Sequence, residues 1–409
     1  MAVGWSRHEH ASAYPVTRPP PAGTQAPPVP AVVMGNVDLL RPLAMAGIRC
    51  VLVAPPDDPV RHSRMVDGVI PAPADWEACD DLLDELTAYG LAQPRKPVLF
   101  YQYDEHLLLV SRHRERLAEA FRFVIADPTQ VEDLVHKERF EPLARRFGLP
   151  TPPTTVLTPH EGSQPPAGPE YPVIVKPDRR SDALWASVEP AAKAVRVDSA
   201  EEMRRLWPRL IDARADFIAQ TLIAGPESRI ESYHCYVDDD GETVAEFTGA
   251  KIRTWPEHYG HTTALSVEKQ HDTRDAGRAV VAALGLRGVS KTDFKRGPDG
   301  TLWLLEINPR FNLWHHPGAR AGVNLPALVH ARLTGVAPSV TTCPEGPVYW
   351  CTAADLKAAR EQGIPVRKWA PWALACHTKS EWCRSDPMPF VRIVTRKLGH
   401  VVRAGSAAG

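Results

Sequence analysis

The sequence predicts a multidomain chain of mixed α/β and α+β class: a Rossmann-like domain of parallel strands, then a larger module of antiparallel ones. Three observations lead there. A strand, a helix and a second strand fit within about 25 residues after Ala31, the spacing of a βαβ unit and hence of a parallel sheet. Beyond residue 170 the apolar runs are joined by Asp239-Asp240-Gly241 and Asp299-Gly300, turn signals that make antiparallel hairpins. The 409 residues also exceed one core, at roughly 150 residues per domain.

Taken in order, residues 1–30 hold seven prolines, from Pro15 to Pro30, and read as a disordered, polyproline-like arm outside the fold. A buried strand follows at 32–34, with Gly35-Asn36 turning the chain into a helix over 38–46 that Gly47 stops. Residues 48–53 make the second strand. A helix over 75–89, a strand at 98–101, a helix over 105–121 and a strand at 123–125 complete a first domain of residues 31–135. The fingerprint G-x-G-x-x-G is absent and Gly35 stands alone, so no backbone can approach a dinucleotide's pyrophosphate there. G-x-x-x-x-G-K-[ST] and G-x-S-x-G are missing too, against a P-loop NTPase and a nucleophile-elbow hydrolase.

The second region, 136–335, opens on a helix carrying Lys137 and Arg145, ended by Pro150, Pro152 and Pro153. Strands are expected at 171–177, ending in Lys176 and Pro177, and at 217–223, stopped by Gly225-Pro226. A hairpin joins 232–237 to 244–247, a helix spans 272–284 up to Gly285, and a last hairpin joins 291–295 to 302–307. Residues 336–409 form an extension whose Phe390, Val394, Leu398 and Val401 recur at helical spacing. Arg392, Arg396, Lys397 and Arg403 lie mostly elsewhere, and packing of the stripe on the core is favoured over an acidic membrane.

Composition removes several function classes. With 48 basic against 49 acidic residues there is no basic footprint for nucleic acid. No apolar run nears the ~18 residues of a membrane span, and the N-terminus lacks the apolar stretch of a secretory leader. Seven cysteines never form C-x-x-C, and His258, His261, His315 and His316 lack H-E-x-x-H, so neither a disulfide framework nor a zinc site is expected. The expected compartment is a reducing cytoplasm.

Chemistry concentrates in residues 291–310. If Asp299-Gly300 fills a two-residue turn, facing residues have numbers summing to 599, so Asp293 faces Glu306 and Lys291 faces Asn308. Period two puts Asp293, Glu306 and Asn308 on one face and Phe294, Trp303, Leu305 and Ile307 on the other, a core face. Two opposed carboxylates repel unless a divalent cation sits between them, and a hard, all-oxygen set suits Mg²⁺. The same face reads equally as a solvated one on which Lys291 and Lys295 neutralise the acids. Lys176 at a strand end, with Lys251 and Arg253 alternating before Trp255-Pro256, would add cations for a triphosphate. They also suit an ordinary charged surface.

Lys137, the run Tyr171-Pro172-Val173-Ile174-Val175-Lys176-Pro177, the run Gln220-Thr221-Leu222-Ile223-Ala224-Gly225-Pro226-Glu227, Asp293 and Glu306-Ile307-Asn308-Pro309-Arg310 follow one another in an order that resembles ATP-grasp enzymes. The leading domain is similar to their pre-ATP-grasp domain, including Gly47-Ile48 and Ser63-Arg64. Asp386-Pro387-Met388-Pro389-Phe390 is similar to the end of carboxylate–amine ligases related to D-aspartate ligase. The resemblance covers about residues 31–405.

It implies that Lys137 and Lys176 hold ATP phosphates and that the hinge from Gln220 through Leu222 to Ile223 reads adenine mainly through its backbone. Glu227 would take the ribose hydroxyls. Lys251 and Arg253 would face the γ-phosphate or acyl substrate. Asp293, Glu306 and Asn308 would ligate Mg²⁺ (or Mn²⁺), and Arg310 would stabilise the transferred phosphoryl group and the acyl phosphate. The implied activity is ligation of a small carboxylate, an amino acid or peptide, to an amine at the cost of ATP, with no nucleic-acid or membrane partner and a homodimer left open. Another ATP-grasp outcome and a non-catalytic nucleotide binder are the rival readings. Two departures stand out: no glycine in the expected lid, 178–184, and Gln220 where the family often has an acid.

Overall fold

The structure, a computed structural model, describes residues 28–73, 76, 80–178, 185, 187–189, 193–336 and 346–396. The proline arm to residue 27, most of the expected lid, and Leu398 and Val401 lie outside the described residues.

The first domain is a parallel sheet of β1 (Ala31–Met34), β2 (Cys50–Ala54), β3 (Val66–Pro71) and β4 (Val98–Tyr101), in order β3-β2-β1-β4. Its inner strands are continuous apolar runs because helices cover both faces. Asn36 caps α1 (Val37–Met45), its side chain accepting the Asp38 N–H at 2.9 Å. Gly35 is required for contact rather than for φ: a Cβ there would stand 2.5 Å from Gln102 Oε1, which accepts the Asn36 N–H at 2.7 Å.

Three expectations are corrected here. Strand β3 was not anticipated; Gly68 and a mostly half-exposed burial pattern hide its periodicity. The helix over 105–121 is two helices, α3 (Asp104–Arg112) and α4 (Arg114–Ala120), after α2 (Asp80–Leu91), with the break at His113. Residues 123–125 form no strand. Arg122 makes a single bridge to Val98, and the chain then leaves for α5 (Pro128–Val135), whose start is fixed by Asp127 accepting from Thr129 and by Pro128.

The module after α6 (Lys137–Arg146) has two sheets. The smaller is antiparallel, in order β5-β8-β6-β7, from β5 (Thr154–Leu157), β6 (Val173–Pro177), β7 (Val195–Val197) and, after α7 (Ala200–Ala213), β8 (Phe217–Thr221). The larger contains β9 (Ile230–Val237), β10 (Thr243–Trp255), β11 (His261–Val267), then after α8 (His271–Leu284) the hairpin β12 (Gly288–Arg296) and β13 (Leu302–Asn308). Past α9 (His315–Arg320) and α10 (Leu325–Thr334), the extension adds β14 (Val348–Cys351), α11 (Asp355–Glu361), α12 (Val366–Ala375) and β15 (Thr378–Lys379). The order is β13-β12-β9-β10-β11-β14-β15.

Core membership shows what is fused to what. Val32, Leu99 and Leu107 of the first domain share one buried cluster with Tyr233, Phe294, Leu304 and Ile307 of the large sheet. The small sheet has its own, around Val173, Val175, Leu206, Trp207 and Phe217. The first domain and the large sheet are thus one packed body carrying the small sheet as a lobe.

The extension docks by a polar anchor; of the expected stripe, only Phe390 and Val394 lie within the described residues. Residues 388–396 are helical, with Phe390 half-buried and Val394 exposed. The anchor is Asp386, buried, which accepts from the Ser63 hydroxyl at 2.7 Å and the Arg64 N–H at 3.0 Å. Deleting residues 386–409 is expected to lower the melting temperature, since losing that carboxylate strands buried donors at a cost of about 2 kcal/mol. An unchanged melting temperature would dissolve this anchor.

Candidate functional site

The site is built on the β12–β13 hairpin, whose register is the expected one for a different reason. The turn is longer than two residues: Gly297 donates to Thr301 O at 2.8 Å, and Gly300, at φ +87, donates back to Gly297. Phe294 pairs with Leu304 and Arg296 with Leu302, one number short of the 599 register. An irregularity between Asp293 and Phe294 inserts Leu305 and restores it, so Asp293 faces Glu306 and Lys291 faces Asn308. The core residue is consequently Leu304, fully buried, while Leu305 and Trp303 are only half-buried.

Glu306 keeps its contact with solvent on the face away from the core. Desolvation alone would raise its pKa; Lys291, Lys251 and Lys176, with a hydrogen bond from Asn308 at 3.1 Å, outweigh it and hold the carboxyl well below its usual range. Asp293 is buried, accepting from Lys291 Nζ at 2.5 Å and from the Ser232 hydroxyl. The sequence alternative in which lysines neutralise the acids therefore holds for Lys291, whereas Lys295 turns to Glu227 at 3.3 Å. Two carboxylates and an amide, with no thiol or imidazole among them, form a donor set that fits Mg²⁺.

Lys176 reaches the same place from the small sheet. Burial, then the neighbouring Lys137, push its pKa down to about 8, with Glu306 opposing them. Its Nζ donates to Gln220 Oε1 at 3.1 Å, and Gln220 in turn donates to Thr154. Lys137 Nζ donates to the Asp178 carbonyl at 2.6 Å, and the Asp178 side chain caps the start of α6 by accepting the Glu138 N–H at 2.6 Å.

The hinge strand is largely paired within the protein. The Gln220 side chain is committed to Lys176 and Thr154, and its backbone is paired on both edges with Thr154 and Ile174. Thr221 and Leu222 donate their N–H groups to Pro153 and Pro172. The strand ends at Thr221, so Leu222 and Ile223 are the first residues past it. Glu227, half-buried, lines a cleft of about 310 Å³ with Pro226 and Ile252.

Arg253 is placed apart from Lys251. Register shifts flank it in the β10–β11 pairing, so the expected alternation with Lys251 fails. Lys251 lies in the field of Glu306, whereas Arg253 is buried in a bidentate pair with Asp355 at 2.8 and 2.6 Å, its guanidinium 4.1 Å from the Trp372 ring centroid. Arg253 belongs to the packing of the extension.

Arg310 closes the site. Its Nε donates to Asp104, Nη1 to the Gln102 carbonyl at 2.9 Å and Nη2 to Asn308 Oδ1 at 3.1 Å, joining the first domain to the hairpin. Sequence reasoning missed Asp104, Gln102 and Ser232. Asp104 lies just ahead of the helix expected from 105, and nothing in the chain order links it to Arg310.

No known family's sequence profile matches the chain. Among characterised proteins it is similar to a D-aspartate ligase of Enterococcus faecium, 25% identical over 227 residues covering 53% of each chain. It is also similar to a D-alanine–D-alanine ligase of Halorhodospira halophila, 31% identical over 216 residues, 49% of this chain and 66% of that one. The matched part thus spans about half to two-thirds of those relatives. Among solved structures, an L-amino acid ligase from Bacillus licheniformis superposes with a TM-score of 0.58 at 18% identity, over 78% of this chain and 76% of that one. An N5-carboxyaminoimidazole ribonucleotide synthetase bound to ADP gives 0.57 at 15%, over 78% and 81%. These likenesses establish the shared fold.

Proposed function

We propose that this ATP-grasp chain is an ATP-dependent carboxylate–amine ligase acting on small carboxylates and amines of the amino-acid or peptide class. Pre-ATP-grasp residues 31–135, the ATP-grasp module 136–335 and the packed extension 336–409 are its working parts. The observation that carries the reading is the opposed pair Asp293 and Glu306, set among Lys176, Lys251 and Lys291 and closed by Arg310. Fixed cations and anions set side by side suit a triphosphate with its metal better than a neutral ligand. The named relatives are ligases of amino acids, which supports the substrate class.

In this mechanism a carboxylate oxygen attacks the γ-phosphorus and the β–γ bridging bond breaks, giving an acyl phosphate and ADP. An amine then attacks the acyl carbon, the carbon–oxygen bond to phosphate breaks, and the nitrogen sheds a proton. Lys137 from α6 and Lys176 from the small lobe grip phosphate oxygens, the hinge from Gln220 through Leu222 to Ile223 meets the base and Glu227 the ribose. Lys251, Lys291 and Arg310 balance charge on the moving phosphoryl group. Asp293, Glu306 and Asn308 would hold Mg²⁺, which supplies charge neutralisation at the β- and γ-oxygens.

The test incubates the protein, Mg-ATP and pools of amino acids, and follows ADP release with mass detection of the amide. Hydroxylamine added in place of the amine should trap the acyl phosphate as a hydroxamate. Nucleotide binding without ADP release from any pool would favour the non-catalytic binder.

Lys176 also sets a pH dependence. Its folded-state pKa lies below the ordinary lysine value, so the charge that grips phosphate is present below about 8 and is lost as pH rises through that value. Affinity for a non-hydrolysable ATP analogue, measured by calorimetry, is expected to fall above that pH. Lys176→Ala should weaken it by roughly tenfold or more and flatten the profile, with Lys193→Ala doing less. Equal affinities for wild type and Lys176→Ala would remove this lysine from the site.

A further inference from the structure

A second cleft, of about 650 Å³, opens between α1, α9 and the segment 377–385, and shares no residue with the hairpin site. Among the described residues its charged lining is of one sign: Arg41, Arg320, Lys379 and Arg384, with no carboxylate. Met45, Met65 and Trp382 supply apolar wall, Met45 and Trp382 being among the exposed large hydrophobics.

Arg41 is the informative residue. It is only 1% exposed, yet among the described residues only Nη1 has partners, the carbonyls of Lys379 and Ser380 at 2.8 and 2.7 Å. Nε and Nη2 are buried without a hydrogen-bond partner, and so is the Thr378 hydroxyl in the same lining. The carboxylate one turn away, Asp38, does not serve Arg41. Its Oδ2 accepts from Ser380 at 2.6 Å, and its Oδ1 from Trp350 at 3.2 Å and His316 at 3.3 Å. A buried guanidinium without an anion is a costly arrangement. Its Nε–Nη2 edge is the one that takes two oxygens of a carboxylate or phosphate side-on.

We propose that this cleft binds a small oxyanion, a carboxylate or phosphate monoester, carrying an apolar group. The oxyanion takes the Nε–Nη2 edge of Arg41 and the Thr378 hydroxyl. Arg320 and Arg384, both exposed, draw it in from the rim, and the apolar group lies against Met45, Met65 and Trp382. The walls come from the first domain, the module and the extension, so the bound anion ties the extension down. The site is independent of the ligase reading.

The test is thermal unfolding of the full chain with a non-hydrolysable ATP analogue held saturating, so that the nucleotide part of the hairpin site is filled, and the double variant below separates this cleft from the acyl-substrate position. Phenyl phosphate, phenylacetate and inorganic phosphate are titrated separately. Saturable rises in melting temperature are expected with one or both phenyl compounds, at about tenfold lower concentration than with inorganic phosphate because the ring adds apolar burial. Response to only one phenyl compound assigns the oxyanion and upholds the site. The exposed double substitution Arg320→Gln with Arg384→Gln should leave the unliganded melting temperature and the analogue's affinity unchanged, while moving the midpoint up roughly tenfold. Absence of a saturable shift with both phenyl compounds, or identical titrations of wild type and double variant, overturns the proposal.

Discussion

Glu306→Gln is expected to fold, to bind nucleotide, and to lose turnover by at least ~10²-fold. The side chain is solvent-accessible on the face opposite Leu304 and Ile307, so the isosteric change disturbs no packing. What it removes is a negative charge that lies in the field of Lys291, Lys251 and Lys176 at the hairpin's open face, leaving Asp293 paired with Lys291. Because Glu306 also props up the Lys176 pKa, the midpoint of analogue binding should shift below about 8 in the variant. Two readouts then move together, turnover and the pH profile. Wild-type turnover in Glu306→Gln would take the hairpin out of the chemistry.

Asp355→Ala is expected to cost about 3–5 kcal/mol of stability by denaturant unfolding, as breaking a buried ion pair strands the other charge. Asp355 is fully buried and accepts from Arg253 twice, from Thr263 at 2.9 Å and from the Trp369 indole at 2.8 Å. Replacing both partners, Arg253→Met with Asp355→Leu, should recover most of that loss, since an apolar pair of similar volume can stand in for a buried salt bridge. The double variant also decides the role of Arg253. It should keep turnover near wild type; a stable double variant without turnover would return Arg253 to the chemistry that family resemblance implies.

How far the sequence could be read follows from the range of each interaction. The first β-strands and the hairpin acids are legible because continuous apolar runs and facing acids are local patterns, encoded within twenty residues. Asp293 and Glu306 come opposite each other through a longer turn offset by an irregularity at Leu305, two departures that cancel, while Leu304 takes the core position expected of Leu305. At Arg253 a comparable departure is not offset, and the alternation fails. Partners held at long range were not legible at all. Asp104 meets Arg310 and Asp386 meets Ser63 only after the domains pack.

The three-way grip of Arg310 on Asp104, Gln102 and Asn308 bears on how such a chain can be taken apart. Residues 136–409 are not a detachable cassette. Cut from the first domain, they would leave an arginine beside the acidic hairpin with two of its three anchors gone, and expose the apolar backs of β12 and β13 that Val32, Leu99 and Leu107 now cover. Exchange of the leading domain for another of the same topology would have to bring an acid at the start of its third helix and a matching sheet face. In recombination, the two parts are heritable only as a pair.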